Sequence, residues 1–315
     1  MANLITTPRK WRNKLLMIKP EAIYGVDTVP TGAVDWIQAR NMMLTPMDVD
    51  KAATNIEMPF MGNSGDILVS FWAKLSFDVA IAPSGTAGLA PKWSPLMLAC
   101  GMSETVTPVT SVEYNLISEN FGSVCAYMNI DGVKHRLLGM RGEVKGKMSA
   151  KGIPLLSFSF DALYFTPTSD PMPTVTRTGW MIEEGVTSAN SGPCEIDGIP
   201  LSYSTFDWSL GNKISRIDLP GPQREISIDD RAPQASITVL APPLAYFNPY
   251  TMAEFGVIVP LSSIHGSVAG KQLRTDMNVR IIGADYDKIE GITAYKLTLQ
   301  PLPVAGNDEI TLTCL

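Results

Sequence analysis

The sequence predicts a mainly β protein made of two tandem β-sandwich or barrel domains, each with a short flanking helix and a long loop. Three observations support this fold class. Alternation of apolar and polar residues is common whereas helical periodicity is scarce, and 25 glycines and 24 prolines separate the short runs. The same order of a strand followed by a capped helix also occurs twice, which is the pattern of an internal repeat.

The repeat is clearest where a strand is followed by a helix. Residues 75–83 alternate in character and precede a helix at 93–101, and residues 235–243 precede a helix at 248–256 in the same way. The spacing between the copies is 160 residues at the first strand, 155 at the end of the helix and 139 at the last strand. The first copy is therefore expected to carry longer loops, in the stretch 83–91 and around Asp131-Gly132.

Local chemistry specifies both helices. Each has a polar side chain to cap the first turn, a proline suited to the first helical position and a glycine that closes the helix in a left-handed conformation. These residues are Ser94, Pro95 and Gly101 in the first copy, and Asn248, Pro249 and Gly256 in the second.

The strands after the first helix have a clear pattern. Asp131-Gly132 supplies the positive φ angles of a two-residue hairpin turn. The next strand, 140–148, has Met, Gly and Val on one face and Arg, Glu and Lys on the other, so its charged face is solvated or meets a charged partner. After a turn at Lys151-Gly152, apolar residues recur at every second position of 156–160, and residues 295–299 repeat this pattern.

Composition is that of a folded globular protein, with 45% hydrophobic and 18% charged residues among 315. We expect a first domain at 1–170, a linker rich in Pro, Thr, Ser and Gly at 171–193, and a second domain at 194–315. No apolar run is long enough to span a bilayer, so no membrane insertion is expected. The four cysteines lie far apart and are expected to be reduced and mostly buried.

Charge is distributed unevenly. The net charge is −6, yet the residues before Glu21 include five basic side chains and no acidic one. This basic N-terminal arm favours contact with an acidic neighbouring subunit, and contact with nucleic acid is the alternative; the acidic remainder of the chain argues against tight DNA binding.

A long loop is predicted at 42–66, where no good strand pattern is seen. It holds five of the 16 methionines, and flexible apolar side chains suit an adaptable protein contact, although a buried structural loop is equally compatible with the sequence. The candidate contacts for ring stacking or for subunit pairing are Arg9, Lys10, Trp11, Arg12, Met43, Met47, Met58, Phe60 and Met61.

Catalytic motifs are weak. The histidines, His135 on a strand and His265 in a loop, are isolated from any motif and indicate structural or solvated roles. The segment 266–272 has only three residues between its glycines and lacks the hydroxyl residue of a phosphate loop. The acidic groups at 229–230 and 285–290 lack the spacing of a calcium loop and predict solvated turns. We therefore expect neither enzymatic activity nor a cofactor or metal.

Three segments, 21–32, 93–101 and 302–312, resemble tail tube proteins of long-tailed, non-contractile bacteriophages. The likeness extends in order over nearly the whole chain. In that family the unit is a β-sandwich with a helix and a long loop, six units form a ring, and rings stack into a hollow tube. The resemblance implies that two units in one chain close the ring as a homotrimer, a pseudo-hexamer.

The resemblance also implies partners and location. The chain is expected to assemble with itself in the host bacterial cytoplasm, to enclose a tape measure protein, to meet terminator and distal tail proteins, and to let double-stranded DNA pass without specific binding into the host from the virion. A terminator, distal tail or baseplate ring protein of the same fold is the nearest alternative. A carbohydrate-binding β-sandwich module is the alternative from another class.

Overall fold

The computed structural model describes residues 8–315, and the first seven residues of the basic arm lie outside that range. The described chain is mainly β and sandwich-like, as expected. The elements of the N-terminal half are β1 (Lys14–Pro20), β2 (Ala39–Ala53), β3 (Asp66–Ala80), α1 (Ser94–Ala99), β4 (Met102–Thr107), β5 (Ser111–Leu116), β6 (Val124–Ile130), β7 (Val133–Ser149), β8 (Leu155–Leu163) and β9 (Thr168–Ser169).

The C-terminal half has a comparable set of elements. They are β10 (Cys194–Ile196), β11 (Ile199–Leu201), β12 (Tyr203–Ser209), β13 (Asn212–Asp218), β14 (Arg224–Arg231), β15 (Gln234–Leu240), α2 (Pro249–Phe255), β16 (Ile258–His265), β17 (Leu273–Ile289), β18 (Ile292–Pro301) and β19 (Ile310–Cys314). Within residues 8–315, neither helix is long and apolar enough to cross a membrane.

One antiparallel sheet runs through both halves, and we call it the shared sheet. Its strand order is β2, β3, β8, β7, β12, β15, β18 and β17, with β7 and β17 contributing their C-terminal parts. The N-terminal parts of the same two strands belong to outer sheets: β7 pairs with β6 and β9, and β17 pairs with β16 and β19. Strands β7 and β17 therefore connect the layers of the sandwich.

The hydrophobic core lies between these layers and is continuous between the halves. Phe77 on β3 stacks on Phe158 of β8 with ring centroids 5.6 Å apart, and Phe206 of β12 is fully buried in the same cluster. The four cysteines are buried as expected. A hydrophobic core shared in this way makes the halves one packed body.

The predicted hairpin and strand faces are confirmed. Strands β6 and β7 flank Asp131-Gly132, whose φ angles are 46° and 90°. On β7 the side that carries Met140, Val144 and Met148 is buried, whereas Lys145 and Lys147 on the opposite face are exposed. Burial of one face is what fixes the register of such a strand.

The predicted loop at 42–66 is wrong for about half of its length. Residues up to Ala53 form β2, which pairs along β3, and β3 already begins at Asp66, so that only 54–65 form a loop. Three irregularities shift the register of this pairing, after Arg40, Thr45 and Asp50. Such bulges interrupt the alternation by which a strand is recognised.

The cap assigned to the first helix is also wrong. Trp93 occupies the N-cap position of α1 without a side-chain hydrogen bond, while Ser94 lies inside the helix and its hydroxyl donates to Glu104. The cap of α2 is confirmed, because Asn248 accepts hydrogen bonds from the N–H groups of Tyr250 and Thr251 at 3.2 Å. The Ser94 side chain is directed towards Glu104 on β4 and not towards the first N–H groups of the helix.

Other local expectations need correction. Extra residues were expected in the N-terminal half around Asp131-Gly132. They instead form the β4–β5 hairpin, which lies between α1 and β6 and has no counterpart between α2 and β16. The acidic residues at 229–230 lie on β14, and Asp285 and Asp287 lie on β17, so these are strand positions; only Glu290 lies in a turn. His265 is the buried last residue of β16.

The predicted linker, 171–193, contains no strand and lies against neighbouring parts of the chain. The indole N–H of Trp180 donates to the Trp36 carbonyl at 3.1 Å, and the carboxylate of Glu183 pairs with Arg40. Farther along, Glu184 accepts hydrogen bonds from Ser267 of the C-terminal half. This segment therefore ties the halves together.

Candidate assembly interface

The structure divides the sequence-predicted contact residues into two groups. The basic group, at 9–12, lies beside the β6–β7 turn, where Asn13 donates a 3.0 Å hydrogen bond to Asp131. Trp11 is 77% exposed, and the Lys14 ammonium lies 3.3 Å from its ring centroid. The same Lys14 reaches the Met42 carbonyl at 3.4 Å, which places the basic group beside the start of β2.

The apolar group lies on the hairpin formed by β2 and β3. Met43 and Met47 lie on β2, and Met58, Phe60 and Met61 lie in the connecting loop; all five are exposed. We call residues 51–69 the hairpin arm, because this part of the hairpin is exposed almost throughout. An exposed apolar segment of this size is typical of a protein contact.

Sequence reasoning missed three further apolar residues of the arm. Ile67, Leu68 and Val69 are 59%, 46% and 53% exposed at the start of β3. Their consecutive β-branched and aliphatic side chains predict a strand, and such strands are usually buried. Only the fold reveals that this part of β3 extends beyond the sandwich.

The shared sheet has a free edge at each end. Among the described strands, β2 pairs only with β3, and the C-terminal part of β17 pairs only with β18. A free edge presents unpaired N–H and C=O groups that can pair with another chain. The sheet can therefore be extended in both directions.

A join between the halves lies in the middle of the same sheet, and we call it the seam. There β7 pairs with β12, from Ser149 opposite Thr205 to Lys145 opposite Ser209. Trp208 crosses Gly146 so closely that a Cβ at Gly146 would lie 2.2 Å from the indole ring. The seam is thus a tightly packed contact between two strands that are far apart in the sequence.

The two halves share their order of pairing. In the N-terminal half β3 lies between β2 and β8, and β8 pairs with β7; in the C-terminal half β15 lies between β12 and β18, and β18 pairs with β17. The register agrees as well, since Phe77 faces Phe158 while Ile237 faces Leu297. That the halves are copies of one unit stays a prediction.

This correspondence relates the seam to the free edges. Strand β7 at the seam corresponds to β17 at one free edge, and β12 at the seam corresponds to β2 at the other. The three residues of β7 that the seam buries match exposed or half-exposed residues of β17: Val144, Gly146 and Met148 correspond to Ala284, Tyr286 and Lys288. The two free edges thus lie at the positions in the order of pairing that correspond to the two sides of the seam.

The hairpin β13–β14 strengthens the seam. Arg216 on β13 pairs with Asp161 at 2.8 Å and with Asp48 at 2.9 Å, and both carboxylates belong to the N-terminal half. Glu143 on β7 accepts hydrogen bonds from the N–H groups of Gly211 and Asn212; its burial raises the pKa of the carboxyl group. The β13–β14 hairpin therefore docks on the N-terminal half of its own chain, and we call such a docking site a seat.

A groove of about 820 Å³ opens on the polar face of the shared sheet. Lys145, Lys147 and Asp207 line its floor, and Arg231 and Glu309 pair at its side. Among the described residues that line it, Trp208 alone is aromatic, and its ring is buried. Sugar rings are commonly bound on exposed aromatic faces, so the groove gives little support to a carbohydrate site.

His265 gives the chain a titratable group in its interior. The imidazole is 2% exposed, its Nδ1 lies 2.9 Å from the Ser191 hydroxyl, and burial lowers its pKa although Glu184 acts in the opposite direction. Within the described chain, no group of three or more His, Cys, Asp or Glu residues is arranged to hold a metal ion. The arrangement is that of a histidine enclosed by the packing around it.

We predict that the folded chain loses stability as the pH falls below about 6.5. The unfolded chain binds a proton at His265 near that pH, whereas the folded chain binds it only at lower pH, so acid favours unfolding by about 1.4 kcal/mol per unit of pKa difference. Urea unfolding at pH 7.5 and pH 5.5 measures the loss. His265→Asn should reduce the difference between the two pH values, and an unchanged difference would contradict the assignment to His265.

The comparisons give no family assignment: no protein-family model matches this chain, and no curated protein sequence matches it.

Proposed function

We propose that this chain is a structural virion protein that polymerises as stacked rings to form the tail tube of a long-tailed, non-contractile bacteriophage. Three chains form each ring, and the two halves of each chain give the ring approximate sixfold symmetry. Double-stranded DNA passes through the tube into the host. The protein acts without enzymatic activity and without a cofactor.

The observation that carries the proposal is the relation between the seam and the free edges. Within one chain β7 pairs with β12, and the corresponding strands, β17 and β2, lie unpaired at opposite ends of the shared sheet. If β17 of one chain pairs with β2 of the next, the same contact is repeated around a ring. Closure removes every free edge of the sheet, which is a common solution to the aggregation hazard of exposed strands.

Residue positions support a specific register. At the seam Lys147 faces Asp207 and Lys145 faces Ser209. The correspondence between the halves places Asp287 opposite Met43 of the next chain, and Asp285 opposite Thr45. All four of these side chains are exposed in the single chain, so they are available for such a contact.

The number of chains in the ring and the identity of the other partners rest on the resemblance of segments 21–32, 93–101 and 302–312 to tail tube proteins. On this basis the tube encloses a tape measure protein and ends at terminator and distal tail proteins, and assembly takes place in the host cytoplasm. The basic residues at 9–12, which lie beside β2, are candidates for contacts between stacked rings.

Negative-stain microscopy of the concentrated, purified chain tests the proposal. Rings with threefold symmetry that stack into open-ended tubes are the expected result, and light scattering after size exclusion should give three chains per ring. A protein that stops at single rings would instead be a terminator, distal tail or baseplate ring protein. A chain that remains monomeric at every concentration tested, or that binds an oligosaccharide, would overturn the proposal.

A further inference from the structure

The two halves each contain a hairpin that connects corresponding strands. In the N-terminal half the hairpin arm, 51–69, is formed by the end of β2, the connecting loop and the start of β3; in the C-terminal half β13 and β14 lie between β12 and β15. The second hairpin packs on the N-terminal half of its own chain, whereas the arm projects into solvent. The β13–β14 hairpin thus has a docking site within its own chain, and the hairpin arm has none among the described residues.

The C-terminal end of α1 is part of the seat of the β13–β14 hairpin. The side chain of Asn212 donates to the Cys100 carbonyl at 2.7 Å, and the Ile228 methyl group lies 3.4 Å from where a Cβ of Gly101 would be. From β7, Arg141 donates to the Ile226 carbonyl at 2.8 Å. An apolar side chain, a helix end and an arginine therefore make the contact.

The corresponding end of α2 is uncovered. Phe255 is 76% exposed, and Val257 and Ile258, which follow the closing Gly256, are 45% and 40% exposed. The same region of α1 is buried, with Cys100 and Ala99 fully enclosed. Three apolar side chains at one exposed helix end form a patch that is costly to leave in water.

Arg280 provides a second, independent observation at this patch. It lies on β17 opposite Ile258, and its Nε is 3.8 Å from where a Cβ of Gly256 would be. That Nε is buried and has no hydrogen-bond acceptor among the described residues. A buried N–H group without an acceptor is costly, and a backbone carbonyl can satisfy it. At Arg141 the Gly122 carbonyl accepts from Nε, and the Ile226 carbonyl of the β13–β14 hairpin accepts from Nη1.

We infer that the C-terminal end of α2, with Phe255, Val257, Ile258 and Arg280, is the seat for the hairpin arm of a second copy of this chain. The inference rests on the proposed ring, because pairing of β17 with β2 of the next chain brings that chain's arm to the α2 side. The 160-residue spacing that relates β3 to β15 also relates Leu68 to Ile228, the residue that contacts the end of α1. Leu68 and its neighbours Ile67 and Val69 supply the apolar surface of the arm.

Cross-linking between differently tagged chains tests the seat. Chains carrying Leu68→Cys are mixed with chains carrying Val257→Cys, assembled, and treated with a short bifunctional maleimide. The four native cysteines are buried, so the introduced thiols are the reactive ones. Mixed cross-linked pairs are expected in high yield. The control pair combines Leu68→Cys with Val109→Cys, an 86% exposed position on the β4–β5 turn, and should yield few.

Phe255→Ser gives an independent measurement. Because the side chain is mostly exposed in the single chain, the variant should unfold at the wild-type denaturant concentration and yet need at least tenfold more protein to form rings. Val109→Ser is the matched control and should leave ring formation unchanged. Rings without mixed cross-links, or a Phe255→Ser variant that assembles like the control, would overturn the seat and leave the ring proposal intact. If the unmodified chain forms no rings, both fail.

Discussion

A chain in which Met43 and Thr45 are both replaced by Asp is expected to remain folded and to need at least a hundredfold higher concentration to form rings. Both positions are exposed on β2, so the single chain tolerates the change. In the proposed ring the new carboxylates face Asp287 and Asp285 of the neighbouring chain. Like charges placed opposite each other across an interface cost several kcal/mol, and a hundredfold corresponds to about 2.7 kcal/mol.

Charge reversal on the partner strand should restore assembly. Adding Asp285→Lys and Asp287→Lys to the same chain turns each repulsive pair into an attractive one. A control chain with Val109→Asp and Val304→Asp adds two carboxylates at exposed positions away from the free edges and should assemble normally. Light scattering over a concentration series measures all three variants. Normal assembly of the first variant, or a failure of the reversal to rescue it, would rule out the proposed register.

The second large effect is expected at the seam. Gly146→Ala should lower the free energy of unfolding by about 3 kcal/mol, the upper end of the usual cost of overpacking. The added methyl group would lie 2.2 Å from two atoms of the Trp208 indole, and the tryptophan cannot move aside because it is itself buried. Urea unfolding of the purified variant measures the loss.

Gly62→Ala provides the matched control, because a Cβ at Gly62 meets no atom within 4 Å. That variant should unfold within about 0.5 kcal/mol of the unmodified chain, as surface substitutions usually do. Equal stability of the two alanine variants would mean that β7 and β12 are not packed as closely as the seam requires.

Strands with one buried face could be predicted from the sequence. On β8 and β18 every second residue is buried, so alternation reveals both the strand and its inner face. Strand β2 was not predicted, because both of its faces are exposed over much of its length and because bulges shift its register. The alternation that identifies a strand arises because one of its faces is buried, and no residue of β2 is buried.

The interface residues could be predicted only in part. Exposed methionines in a segment without an evident strand suggested a contact surface, and the hairpin arm includes the later part of that segment, with Met58 and Met61. The free edge of β17 could not be recognised, because a strand with exposed faces has no signature in a single sequence, and the seam joins strands whose pairing depends on the complete fold. Asp285 and Asp287 suggested solvated turns for the same reason.

The position of β19 has a consequence for how the protein is made. This strand, which comes last among the elements, lies between β17 and β5, and its partner residues on β5 precede it by about two hundred positions. During synthesis, the outer sheet around β5 therefore stays incomplete until the ribosome has added the C-terminal half. Pairing of strands so far apart in the sequence has a high loop-closure cost and slows folding. Completion of this outer sheet in the N-terminal half therefore depends on a strand from the C-terminal half.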